Sequence, residues 1–168
     1  MEFTLFRGLI QLNYQSVAIS IILLVFICTN KTFPRNVLMY FFVACILALL
    51  LTFADNVRYL SSQLPAPTSA RYWSSAVGYT LRPITIFLIF EVSGRNQKRP
   101  SAWYWIPIIF NTAISFLSIP TGIMFFFTDD NMLGHGPLGY LCHFTTLAYA
   151  VLIINNSLKI YKSNKMET

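Results

Sequence analysis

Five successive stretches of about twenty residues with little charge constrain this chain more than any other feature it has. They run Leu9 to Cys28, Val37 to Tyr59, Tyr72 to Val92, Trp103 to Phe126 and Leu138 to Tyr161. An α-helix rises about 1.5 Å per residue, so each stretch is long enough to cross the roughly 30 Å hydrocarbon core of a bilayer. Apolar residues also run around the whole circumference of these helices, where a helix packed on a soluble core would show one stripe. Only 11% of the 168 residues are charged, against about 25% in an ordinary soluble domain. That is too little charge to coat a surface in water, and lipid must replace water as the outer solvent. The fold predicted is an all-α integral membrane protein, one domain over residues 1–168 built as a bundle of about five transmembrane helices.

Turn chemistry separates the stretches: Thr32-Phe33-Pro34, Pro65-Ala66-Pro67, Gly94 with Pro100, and Gly134-His135-Gly136-Pro137. The first stretch is read as a span and not a secretory signal, because Glu2 accompanies Arg7 ahead of it and Thr29-Asn30-Lys31 offers no small-residue cleavage site. Direction follows from the short connections, since lysine and arginine are retained on the cytoplasmic side. Lys31, Arg35, Arg95, Lys98, Arg99, Lys159, Lys162 and Lys165 fall on one side, and Arg7, Arg58 and Arg71 on the other. The bias predicts an N-terminus outside and a C-terminus in the cytoplasm of a multi-pass cell-membrane protein. Trp73, Trp103, Tyr104 and Trp105 sit at segment ends, where amphipathic rings prefer the headgroup level. The net charge of +6 comes from short groups between apolar runs and not from one basic face, which argues against nucleic acid as a partner. Cys28, Cys45 and Cys142 lack CxxC spacing and lie in or beside apolar runs, so no disulfide framework or zinc site is expected.

Polar residues inside the spans recur at helical spacing. The stripes are Asn13, Ser16 and Ser20; Thr52, Asp55, Asn56 and Tyr59; Ser75, Tyr79 and Arg82; Asn111, Ser115, Ser118 and Gly122; and Tyr140, His143 and Thr146. Nearly all fall in the outer half, whereas Ile21 to Ile27, Val37 to Leu51 and Ile84 to Phe90 are almost wholly apolar. An outward-facing polar pocket is expected, with Asp55, Asn56, Tyr79, Arg82, Ser118, Tyr140 and His143 as its ligand-binding residues. Serines and threonines also simply join helices, at about 0.6 kcal/mol per hydrogen bond. Charges are harder to dismiss, because an ionised side chain at depth costs roughly 2.5 to 3.5 kcal/mol unless paired or hydrated. An Asp55–Arg82 ion pair is therefore expected; its competitor is Asp55 with Arg58, one turn away on the same helix. Asp129, Asp130, His135 and His143 supply oxygen and nitrogen enough for a metal, yet match an ordinary polar turn, and neither metal nor cofactor is assigned. Pro107 and Pro120 are expected to interrupt the fourth helix and Pro83 the third, while Pro137 suits the first turn of the fifth.

The stretch Phe125-Phe126-Phe127-Thr128-Asp129-Asp130-Asn131, followed by His135-Gly136-Pro137-Leu138-Gly139-Tyr140-Leu141, resembles the loop and fifth-helix entry of multi-helix membrane regions in bacterial signalling proteins. Such regions precede GGDEF diguanylate cyclase domains and certain histidine kinases, and Gly78-Tyr79-Thr80-Leu81-Arg82-Pro83 resembles the third helix of the same group. The resemblance is sharp over roughly twenty residues and loose over the rest. It implies a sensory, signal-transducing module without its output domain. Members usually continue through two or three further helices to that domain; no GGDEF, phospho-acceptor or P-loop sequence stands here, so no catalytic residue carries over and the chain is not expected to be an enzyme. Partners expected are the bilayer, a small polar ligand, a cytoplasmic output domain or protein, and a second copy of the chain. A solute transporter or channel subunit, an intramembrane hydrolase using Ser115 or Ser118 with His143, and a ligand-free scaffold are the alternatives the residues leave open.

Overall fold

The computed structural model describes residues 17–29, 34–93 and 102–166. Within them the order is α1 (Val17–Thr29), α2 (Arg35–Ser62), α3 (Ser69–Ser93), a 3₁₀ turn (Ala102–Trp105), α4 (Ile106–Thr121), β1 (Phe125–Phe127), β2 (Leu133–His135) and α5 (Leu141–Met166). Residues 9–16 of the first expected span, with Asn13 and Ser16, lie outside the described residues, as do Arg7, Lys31, Arg95, Lys98 and Arg99.

Among the described residues, three helical stretches, Val37–Ser62, Ala102–Thr121 and Leu141–Lys159, are long and apolar enough to cross a membrane. In the most apolar windows of these stretches only 17%, 22% and 17% of the residues are buried, the reverse of what a helix in a water-soluble core shows. Phe53 and Phe144 are more than two-thirds exposed, whereas Ser75, Asn111, Ser115 and Ser118 are fully buried. Apolar outside and polar inside is the polarity of a bundle whose solvent is hydrocarbon. Helix α3 is not among the three, and its position explains why. It packs against α2, α4 and α5 together, so its neighbours are protein, and Ser74, Ser75, Gly78 and Thr80 can sit where lipid would exclude them.

Two apolar clusters hold the bundle. One joins Ala76 and Tyr79 of α3 to Met124, Phe125 and Phe127 of the hairpin and to Cys142 of α5. The other, toward the opposite end, packs Phe87 and Phe90 of α3 with Ile108 of α4 and Tyr149 of α5. There the Tyr149 hydroxyl donates to the Tyr104 carbonyl.

The expectation of an all-α chain needs correction between residues 122 and 140. Helix α4 ends at Thr121, five residues before the predicted boundary, because Gly122 takes a left-handed φ of 67° and its N–H closes on the Ser118 carbonyl at 2.8 Å. The chain then forms an antiparallel hairpin pairing Phe125 with His135, Phe126 with Gly134 and Phe127 with Leu133. Phe125 and Phe127 point inward and Phe126 outward, the period-two alternation of a half-buried strand. Gly136 seats the hairpin on the α4 end: a Cβ there would collide with the carbonyl oxygens of Gly122 and Ile123. Helix α5 starts at Leu141 and not at Leu138, with Pro137 in the preceding turn. Pro107 does not interrupt α4 either; it lies in the first helical turn, where its missing N–H has no intrahelical partner to lose.

Candidate functional site

Helix α2 carries Asp55 in its last two turns and α3 presents Arg82 opposite it. Gly78, one turn before Arg82 on α3, faces the Asp55 carboxylate at ordinary van der Waals distance, 3.8 Å from where a Cβ would stand. One guanidinium nitrogen of Arg82 donates to both carboxylate oxygens of Asp55, at 2.9 and 3.3 Å. Arg58 reaches the same carboxylate at 2.8 Å. The expected cross-helix pair and its same-helix competitor therefore coexist, one acid between two bases. All three side chains are about a quarter to a third exposed, and the trio carries one positive charge in excess.

Aromatic contacts extend the trio toward α5. The Arg82 guanidinium carbon lies 5.9 Å from the Tyr79 ring centroid. Tyr79 is buried and stacks on Phe125 of β1 at 5.4 Å with planes 4° apart. Its ring meets His143 edge-on at 6.4 Å; His143 contacts Tyr140 at 6.5 Å, and Tyr140 stacks on His135 at 5.4 Å. Tyr140 and His143 are exposed. Asp55, Tyr79, Arg82, Tyr140 and His143 thus form one continuous chain of contacts across α2, α3 and α5. Asn56 is half-buried on α2 beside Asp55.

Ser118 is placed differently. It is fully buried; its hydroxyl accepts from the N–H groups of Met124 and Phe125, at 3.0 and 2.8 Å, and donates to the Phe125 carbonyl at 2.9 Å. It pins the reversal from α4 into β1 and is linked to the site through Phe125, which stacks on Tyr79. Ser115 donates to the Asn111 carbonyl at 2.7 Å within its own helix.

Asn111 has a role that reading stripes along single helices missed. In a regular helix the N–H of residue 83 would donate to the Tyr79 carbonyl, and Pro83 has none. The Asn111 side-chain amide, fully buried on α4, donates to that carbonyl at 2.9 Å. A proline in α3 orphans an acceptor, and a neighbouring helix satisfies it. The sequence signal was present, because Arg82-Pro83 inside an apolar span demands a donor from elsewhere.

Arg71 and Asn131 were also read too simply, one as a loop charge and the other as part of a polar turn. Both are buried. Arg71 donates to the backbone and side-chain oxygens of Asn131 and lies 4.4 Å over the Phe127 ring. The Asn131 amide in turn donates to the Ser61 and Leu64 carbonyls at the end of α2, at 2.9 and 2.8 Å. Asn131 has φ of 60°, a conformation asparagine adopts more readily than most residues. This clamp fastens the hairpin over the end of the bundle that carries Asp55 and Tyr79. Asp129 and Asp130 are exposed in the hairpin turn.

A cavity of about 350 Å³ opens elsewhere, between α1, α2 and α3, and its lining includes Leu23, Ile27, Phe41, Cys45, Ala48 and Ile89. None of the seven expected ligand residues lines it. Compared with known proteins, the chain matches no family model, no curated protein and no solved structure.

Proposed function

We propose that this chain is the membrane-embedded input module of a signalling receptor, with five helices crossing the bilayer, the N-terminus outside and the C-terminus in the cytoplasm. Its ligand carries an anionic group held on the hairpin side of the bundle by Arg82, with Arg58, Tyr79, Tyr140 and His143 around it. The observation that carries this reading is the shared carboxylate: Asp55 neutralises one of two guanidiniums, so the Arg58–Arg82 pair keeps one positive charge free to attract an anion. Low surrounding polarity strengthens that attraction relative to water.

The wiring for a response is also at hand. Arg82 stands on α3, the helix that touches α2, α4 and α5, and Pro83 beside it has already loosened the helix's own hydrogen bonding. A ligand that binds one tilt of α3 better than another shifts the population toward it, and α5 carries the shift to the basic Lys159, Lys162 and Lys165 end. The resemblance to sensor regions of bacterial signalling proteins agrees with this assignment. The apolar residues of the opposite half speak against a continuous polar path, and hence against a transporter.

The test is a thermal-shift screen of small carboxylates, phosphates and sulfonates on the protein in phosphatidylcholine nanodiscs. At least one anion class should raise the melting temperature saturably, and Arg82→Gln should remove the rise while leaving the unliganded melting point within a few degrees. A screen with no saturable shift, or a shift that survives Arg82→Gln, overturns the reading.

A further inference from the structure

The cavity between α1, α2 and α3 has almost no polar surface. Its two hydroxyl-bearing lining residues are Ser20 and Thr85, and Thr85 has already donated its hydroxyl to the Leu81 carbonyl at 2.9 Å. Water or a polar solute would find few partners there, short of the two to four a buried water needs, and apolar cavities of this kind stay dry and take hydrocarbon. On α2 the lining runs from Leu38 to Ala48, ten steps along the chain and hence about 15 Å of helix. The shape is that of a slot running along the helices.

The slot is aligned with the charged trio. On α2, Ala48, Thr52 and Asp55 follow one another at helical spacing on one face, and Ala48 lines the cavity while Asp55 holds both arginines. On α3, Arg82, Thr85 and Ile89 do the same, with Thr85 and Ile89 lining the cavity one and two turns below Arg82. The lining ends at Ala48 and Thr85, and on the same two faces Asp55 stands about two turns beyond Ala48 and Arg82 one turn beyond Thr85, so the charged trio lies past one end of the slot.

From this juxtaposition we infer that the site takes an amphipathic anion with a straight alkyl chain: the chain lies in the slot among Leu23, Phe41, Cys45 and Ala48, and the acid head meets Arg82. The inference rests on the reading of Arg82 as a ligand-binding residue and specifies the ligand class. A fatty acid and an anionic membrane lipid share this chemistry.

A dodecanoate bearing a diazirine at its chain end, photolysed with the protein in phosphatidylcholine nanodiscs, tests it directly. Labelling should be saturable and should map by peptide mass spectrometry to residues 38–48 and 85–89. Unlabelled dodecanoate should compete at about tenfold lower concentration than dodecanol. Arg82→Gln should abolish that difference, and Ala48→Phe, which fills the slot, should reduce the labelling. Labelling that does not saturate and spreads over the outward Phe53 and Phe144, or equal competition by acid and alcohol in the wild type, overturns the inference. Adding phosphatidylglycerol separates the sources: suppression of labelling supports a membrane lipid as the occupant, and undiminished labelling supports a free acid. The broader reading fails separately. Specific, Arg82-dependent labelling with no change at a fluorophore on Lys162→Cys keeps the site and removes signalling; Arg82-dependent binding of short anions without slot labelling keeps the Arg82 site and removes the alkyl-chain inference.

Discussion

Single side chains in this bundle are placed by backbone groups that other residues leave unpaired. Asn111 shows it best. An unsatisfied buried carbonyl costs about 1–3 kcal/mol, so Asn111→Ala should destabilise the protein by about that amount in thermal melts. The cause is separable from loss of packing. Pro83→Ala restores an N–H that can serve the Tyr79 carbonyl, and in that background Asn111→Ala should cost clearly less; equal costs in both backgrounds would show that the amide does not act through that carbonyl. The Asp55 trio makes a second case. Asp55→Asn leaves two guanidiniums without a counter-charge and should lower stability by about 1 kcal/mol, while the double change with Arg82→Gln should recover part of the loss in a double-mutant cycle. The Asp55–Arg82 pair was legible in the sequence because an ionised group at depth must find a partner and the candidates were few. Asn111 was legible only as a polar residue on a stripe, since its acceptor belongs to another helix and became available through a proline one turn further along that helix.

At the scale of elements, the helices were legible from uninterrupted apolar length, and the hairpin was not. Phe125, Phe126 and Phe127 prolong the apolar run of α4 without a break, so hydropathy alone carried the predicted span to residue 126. Gly122, with its left-handed φ, is the local cause of the stop, and Asp129-Asp130-Asn131 supplies the turn. What fixes the hairpin in place is long-range and invisible to a local reading: Arg71 and the carbonyls of Ser61 and Leu64, at and just beyond the end of α2, converge on Asn131 from sixty to seventy residues away. The clamp and the backbone conformation can be told apart by substitution. Asn131→Gly keeps the left-handed conformation but loses the side-chain bonds; Asn131→Ala loses the bonds and adds strain. Both should raise amide exchange across residues 125–135 at least tenfold, with the alanine variant roughly 1 kcal/mol worse in stability. If the glycine variant exchanges as slowly as wild type, the hairpin is held by Phe125 and Phe127 packing alone.

For the whole molecule, the sidedness of polar and apolar groups sets a prediction that depends on no single contact. Helix α5, Leu141–Met166, has 26 residues and is therefore about 39 Å long, more than the roughly 30 Å of hydrocarbon it would have to cross. Asp130, in the hairpin turn before it, and Lys162, near its far end, must then lie in opposite aqueous phases if the bundle spans the bilayer upright. Both are exposed, so cysteines introduced there report on sidedness without disturbing the core. With the native cysteines replaced, Asp130→Cys in intact cells should react with a membrane-impermeant maleimide, and Lys162→Cys should react only after the membrane is opened. That outcome follows from the excess of lysine and arginine on the Lys162 side. The reverse pattern would keep the bundle but invert it, placing the Arg82 site on the cytoplasmic side, where an external ligand could not reach it. Labelling of both positions from one side would mean that α5 lies along the surface. In that case the exposed Phe144, Leu147, Val151 and Ile154 would form an interfacial face, and transmission along α5 from one side of a membrane to the other would be physically excluded.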